Sequence, residues 1–241
     1  MITSRQNPLI KLIRSLKDKK NRDANGIYLC EGVKLVREAY LSGQDFYALV
    51  CTSKGESLID DVACAKEIVS DDVFNSISDE VSPQGVLAVV KKPLKDLSAP
   101  KGSCVLLDGV SDPSNVGMII RTAAAAGYND IYLINCADAY SPKAVRASMS
   151  GVFRVKIHAG AREEILPLIS LPIVVGDMNG KNVFTGGIDC DFCLVIGNEG
   201  HGVSSELRDR ATYTVSIPMQ NDMESLNAAV SAGILMYSLK N

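Results

Sequence analysis

The chain lacks any apolar run approaching the length of a membrane span. Its polar, basic N-terminal segment has no hydrophobic stretch of the kind a secretion signal carries. Both absences point away from membrane insertion and export, and a cytoplasmic protein with no membrane partner is expected. Cysteine is present without a framework: seven residues at irregular spacing, an odd count that excludes a regular disulfide scaffold. Cys190 and Cys193 form the one CxxC, and neither a second pair nor His158 or His201 supplies the spacing of a structural zinc site. The two read as ordinary core cysteines opening the apolar run 193–196, and no metal is expected. A strong net charge is also missing. At −3 over 241 residues, the chain is not a uniformly basic nucleic-acid binder.

What is present begins with an uneven charge distribution. Residues 1–22 hold Arg5, Lys11, Arg14, Lys17, Lys19, Lys20 and Arg22 against the single acid Asp18, a net +6. Such an arm suits phosphates; it equally suits the solvated face of a terminal helix. With 46% hydrophobic residues, the chain can bury a sizeable core in one large or two ordinary domains.

Leu9, Ile10, Leu12, Ile13 and Leu16 recur at helical spacing and predict one helix over 8–20. Strands are predicted at 27–30, 46–51, 68–69 and 85–90. Helices are predicted after Gly32, over 58–65, and after a cap at Asp71 or Asp72. Over residues 91–102, Pro93 and Pro100 with charge and little periodicity mark a boundary near 95, giving a linker at 96–102 that divides residues 1–95 from 103–241. Beyond it, apolar strands at 104–107, 131–134, 155–158, 173–175, 192–196 and 213–217 alternate with helices. These include 113–127, 142–149, 163–169 and a last one from near Ser225, with Leu226, Ala229, Val230, Gly233, Ile234 and Tyr237 on one face. The pattern implies an α/β fold with a parallel sheet covered on both sides. Ligands of such sheets bind beyond the carboxyl ends of the strands.

Three polar islands lie at those ends. The stretch Gly197-Asn198-Glu199-Gly200-His201-Gly202 follows a late strand. Its Gly-x-x-Gly-x-Gly spacing is not the dinucleotide fingerprint, which disfavours a Rossmann-type oxidoreductase. Pro218 ends the strand of Ile217-Pro218-Met219, and Ser225 is placed to cap the last helix, with Asn227 in its first turn. Asn115 and Arg121, six residues apart, are separated by roughly 600° of helical rotation and share no face. An arginine among Ile119, Ile120 and alanines calls for a carboxylate or a phosphate, an ion pair inside the fold being the plain alternative.

Asp112-Pro113-x-Asn115-x-Gly117-x-x-x-Arg121-Thr122, Asn198-Glu199-Gly200, and Ile217-Pro218-Met219 with Ser225-Leu226-Asn227 resemble the three motifs of the SpoU/TrmH branch of the SPOUT methyltransferases. Ser141-Pro142-Lys143-x-x-Arg146-Ala147-Ser148 also fits. The resemblance covers roughly 103–240. More loosely, Tyr28-Leu29-Cys30-Glu31-Gly32 is similar to the small α/β RNA substrate-binding domain that often precedes this domain. It implies a C-terminal trefoil knot, one of the rare exceptions to unknotted chains, and a homodimer whose interface lies beside the active site. It also implies methyl transfer from S-adenosyl-L-methionine to a ribose 2′-hydroxyl of RNA, rRNA before tRNA. The catalytic set would be Asn115, Arg121, Glu199, Ser225 and Asn227, and the cofactor set Gly197, Asn198, Gly200, Ile217, Met219 and Leu226. Ser114, Met118 and Asn221 depart from the usual residues, though asparagine tolerates the left-handed backbone where glycine is usual. A non-catalytic RNA-binding protein that kept the fold is the rival from another class; the filled polar positions speak against it.

Overall fold

The structure, a computed structural model, describes residues 1–221, 223 and 225–240. Residues Pro8–Ser15 (α1) and Lys19–Asn25 (α2) replace the single helix predicted over 8–20. The break has a physical cause. Arg22 folds back and donates to the carbonyls of Leu16 and Lys17, both at 2.7 Å, which removes them from a continuous helical ladder.

Ile27–Glu31 (β1), Phe46–Cys51 (β2), Glu67–Ile68 (β3) and Val86–Lys91 (β4) form a mixed sheet in the order β1-β4-β2-β3. Val33–Leu41 (α3) follows β1. The helix predicted over 58–65 is absent: the helical turn is Ser53–Glu56 (α4), capped by the Thr52 hydroxyl, and single turns suffice to bury Ile59 and Val62. Asp71–Asn75 (α5) is capped by Ser70, not by either aspartate.

The second sheet has six strands, all parallel, in the order β10-β8-β9-β5-β6-β7. They are Cys104–Asp108 (β5), Asp130–Ile134 (β6), Lys156–Gly160 (β7), Ile173–Asn182 (β8), Cys193–Gly197 (β9) and Tyr213–Ser216 (β10). The helices of this half are Pro113–Ala125 (α6), Pro142–Ser148 (α7), Arg162–Ile165 (α8), Ser205–Asp209 (α9) and Ala228–Leu239 (α10). The predicted helix over 163–169 shrinks to α8 and a 3₁₀ turn at Leu166–Leu168, because Pro167 stops it. Two apolar clusters, one on each face, cover this sheet, as its uninterrupted Val, Ile and Leu runs require.

The halves share a core. Val145 of α7, with Tyr140 and Phe153, packs among Tyr28, Cys30, Leu35 and Val36. Tyr28 and Tyr140 pack as a tilted pair with ring centroids 4.9 Å apart. Arg22, almost fully buried, pairs with Asp138 at 2.7 Å across the junction. The segment 92–103, between the sheets, has neither helix nor strand, yet it is not loose. The Tyr132 hydroxyl donates to Ser98 O at 2.7 Å, and His158 Nδ1 lies 2.7 Å from Asp96 O.

No helix among the described residues is long and apolar enough to cross a membrane. Cys193 is buried in β9 but Cys190 is exposed, so only one of the CxxC pair is a core cysteine.

Candidate active site

The parallel sheet runs outward from β5 in two directions, toward β6 and toward β9, so the carboxyl ends of β5 and β9 flank its switch point. Crevices form there because the following loops diverge to opposite sides. The polar islands meet at this place. After β9 the chain closes a tight turn: Asn198 N–H donates to Gly202 O at 3.0 Å and Gly202 N–H returns to Asn198 O at 2.9 Å. Gly197 is dictated by this closure, since a Cβ there would stand 2.2 Å from Gly202 C. The Asn198 amide donates to Gly109 O beyond β5 at 2.7 Å, and its oxygen accepts from the N–H groups of Gly200 and His201. Its side chain is thereby occupied within the loop, leaving backbone groups to face a ligand.

Glu199 is the hub. Its Oε2 accepts from Ser111 N–H and Oγ, and its Oε1 from Asp112 N–H at 3.2 Å and the Asn115 amide at 2.9 Å. Burial works to raise the Glu199 pKa. The Asn115 amide and the N–H groups of Ser111, Glu199 and Asp112 outweigh it, and the carboxyl titrates at about 2. The buried Asn115 then accepts from the Asn227 amide at 3.0 Å. One chain of hydrogen bonds thus links all three islands: Glu199, Asn115, Asn227.

Asn227 also does the work predicted for Ser225. It is the cap of α10, its oxygen accepting from Ala229 and Val230 N–H, while Ser225 stands exposed before the helix. The shift by two residues follows from chemistry: either side chain can cap, but the Asn amide carries its acceptor and its donor on two separate atoms, so Oδ1 serves the helix while Nδ2 reaches Asn115. Asn221 adopts φ +58°, the left-handed backbone its residue type tolerates. Ile217 is half-buried, Met219 exposed and Leu226 half-buried. The peptide groups of these three have no hydrogen-bond partner among the described residues.

The remaining motif residues have other tasks. Asp112 caps α6 through Ser114 N–H, and Lys143 beside it holds its carboxyl below the ordinary range. Gly117 lets α7 approach α6, for its Cβ would lie 2.3 Å from Ala144 O. Arg146 pairs at 2.6 Å with Glu80 across the junction between the two halves.

Arg121 is the exception. It is exposed on α6, and among the described residues it has no ion pair and no bond to Asn115, Glu199, Ser225 or Asn227. The internal ion pair considered from sequence is not formed. Nor is the arginine oriented by the other four, because its position on α6 turns it away from them.

The α10 face also differs from prediction. Ala229, Ala232, Leu235, Met236 and Leu239 are buried, whereas Val230 and Tyr237 are 50% and 59% exposed. The helix is apolar around most of its circumference, so periodicity alone did not choose the buried side.

Comparison with known proteins agrees with this architecture. The SpoU rRNA Methylase family model matches residues 102–237, and an MRM3-like substrate binding domain matches residues 7–88. A 23S rRNA (guanosine(2553)-2′-O)-methyltransferase of Bacillus subtilis is 30% identical, covering 99% of this chain and 98% of its own. A 23S rRNA (adenosine(1067)-2′-O)-methyltransferase of Streptomyces laurentii is 31% identical over 98% of this chain and 94% of its own. The AdoMet-bound rRNA methyltransferase of Sinorhizobium meliloti superposes with a TM-score of 0.86 at 31% identity, covering 99% of this chain and 96% of that one. The SpoU methyltransferase AviRb of Streptomyces viridochromogenes, in complex with AdoMet, gives 0.85 at 28% identity, covering 97% of each. With its motifs joined at the switch point of a parallel sheet and matching relatives over nearly its whole length, this chain belongs to the SpoU rRNA methylase family.

Proposed function

We propose that this protein transfers a methyl group from S-adenosyl-L-methionine to a ribose 2′-hydroxyl in ribosomal RNA. The observation that carries the reading is the hydrogen-bonded chain Glu199–Asn115–Asn227, which ties three separate loops into one preformed site. The peptide groups of Gly197, Ile217, Met219 and Leu226 would hold the cofactor, a fit supported by the unpartnered backbone of the last three. Gly200 and the Asn198 side chain shape the turn beneath it. The bound cofactor supplies an electrophilic methyl on a sulfonium. The chain supplies placement, worth roughly 7–11 kcal/mol when reacting atoms are well aligned.

Guanidinium groups are permanent cations in proteins and do not serve as bases, so Arg121 is given an electrostatic part. Its role is to grip the phosphate next to the target ribose and to stabilise the alkoxide as it forms. Glu199, held ionised, anchors Asn115 and Asn227, and Ser225 completes the ribose side.

The protein works as a homodimer. Met118 of α6 and Val230 and Tyr237 of α10 are exposed apolar side chains on the helices that border the site. Arg121 lies on the same exposed side of α6, so a second copy docked there brings its own loops toward it. Residues 1–95 form the substrate-binding domain, 96–102 the connector and 103–241 the catalytic domain with its C-terminal trefoil knot. The site of action is the cytoplasm.

The test is incorporation of tritiated methyl from S-adenosyl-L-methionine into deproteinised 23S rRNA, with the product mapped as a 2′-O-methyl nucleotide. RNA binding without incorporation would instead support the non-catalytic alternative.

A further inference from the structure

Arg121 opens onto a space whose far wall belongs to the first half of the chain. A cavity of about 310 Å³ lies where the two halves meet. Lys34 and Glu38 of α3 form one wall; Arg121 of α6 and the segment Met149–Arg154 form the other. Three cations face one carboxylate here. Arg154 Nη2 pairs with Glu38 Oε2 at 2.8 Å, and its Nε lies 3.4 Å from Ser150 Oγ. Lys34 and Arg121 are exposed and have no ion pair among the described residues. The cleft therefore carries an excess of positive charge in a protein whose overall charge is −3.

The walls are fixed. Met149 adopts φ +52°, a conformation a methionine takes only where its surroundings impose it. Buried Gly151 lies directly against the Arg121 backbone, where a Cβ would be 2.8 Å from Arg121 Cα. On the opposite side, Leu35 belongs to the core that also holds Val145 and Phe153. Lys34 and Arg121 thus sit on elements packed into one body rather than on loops that must find each other. The volume is near the lower end for small-ligand pockets, and the opening to solvent suits a chain passing through.

We propose that this cleft holds the RNA strand beside the target nucleotide, with Lys34 contacting a backbone phosphate adjacent to the one gripped by Arg121. The inference rests on the RNA-methylation reading, and it gives α3 of the first half a direct part in substrate placement. The Glu38–Arg154 pair limits the competition: Glu38 is already neutralised, so it does not draw Lys34 away from RNA. The contact reads no base, since an ammonium on a phosphate carries no sequence information. It sets register, and selectivity for the nucleotide arises elsewhere.

The experiment titrates the full-length parent, Lys34→Glu and Lys54→Glu against deproteinised 23S rRNA over a series of salt concentrations. Methyl transfer is measured in parallel. Lys54 is an exposed cation of α4 outside the cleft, and its reversal changes net charge equally. Lys34→Glu is expected to weaken RNA binding about tenfold and to lower the salt slope by about one. KM for RNA should rise while affinity for S-adenosyl-L-methionine and the unfolding midpoint stay at the parent values. Lys54→Glu should bind RNA nearly as the parent does. Equal loss in both variants, or parent-like RNA binding by Lys34→Glu, overturns the cleft assignment even if the parent methylates RNA. A parent that binds RNA through Lys34 but transfers no methyl keeps the cleft and removes the enzymatic reading.

Discussion

Asn115 and Arg121 occupy the same helix, yet they belong to two polar regions built on opposite lines. At the switch point, Asn115, Glu199 and Asn227 satisfy one another before any ligand arrives. At the junction cleft, Arg121 and Lys34 satisfy nothing within the described chain. The first arrangement commits its hydrogen bonds to geometry, so the three loops hold one another in place without a ligand. The second leaves two cations unpaired, and the proposed RNA contact rests on that. The N-terminal arm sharpens the contrast. Its charge looked like an RNA footprint, but Arg5, Lys17, Lys19 and Arg22 pair with Asp72, Asp79, Asp23 and Asp138. A run of cations in sequence says little about binding until the acids that fold against it are known.

The largest effect expected comes from the junction that joins the two halves. Arg22→Ala leaves Asp138 without its buried partner and frees the Leu16 and Lys17 carbonyls, and should cost about 3–5 kcal/mol of stability. Chemical denaturation measures it; a loss under about 1 kcal/mol would mean that the junction is not locked by this pair. For the same reason, deleting residues 1–95 is a poor dissection of the molecule, because it strips the cover from Tyr140, Val145 and Phe153.

Next comes Arg121→Ala. It should lower methyl transfer by about 10²–10³-fold, as removal of a charge-stabilising donor does elsewhere, while cofactor affinity measured by calorimetry stays near the parent. Loss of cofactor affinity instead would place the arginine in the wrong region. Arg121→Lys retaining full turnover would contradict a planar, two-pronged grip.

The smallest effect concerns the hub. The Glu199 pKa is depressed in the folded chain, so its contribution to stability is present above the unfolded value of 4.5 and is lost as pH falls through about 2. Because the carboxylate is partly open to solvent, the contribution is screened to about 1–2 kcal/mol. Glu199→Gln should therefore be less stable than the parent at neutral pH, with the gap closing between pH 4.5 and 2. A gap that stays constant across that range would show that the charge is not what the Asn115 amide and the Ser111 and Asp112 N–H groups hold.

Much of the catalytic half was legible from residue order. Continuous Val, Ile and Leu runs can satisfy both faces of a strand only in a covered parallel sheet, and all six predicted strands are present. Polar residues at the strand ends marked the site, and Asn115 and Arg121 were separable by helical rotation alone. The first half was less legible. Ser70, Asp71 and Asp72 are all competent caps, and the choice among them depends on where β3 ends. The 58–65 helix failed because apolar residues three apart serve a pair of turns as well as a helix.

By itself, the amino-acid order determined which polar residues stand at strand ends and helix starts, because periodicity and capping are local properties. Tertiary structure alone decided the partners. That Asn227 caps α10 while reaching Asn115, that Arg22 disappears into a junction, and that Lys34 comes to face Arg121 all depend on contacts between residues more than eighty positions apart. No local rule sees such distances; only the packing of two sheets into one body brings these groups within reach.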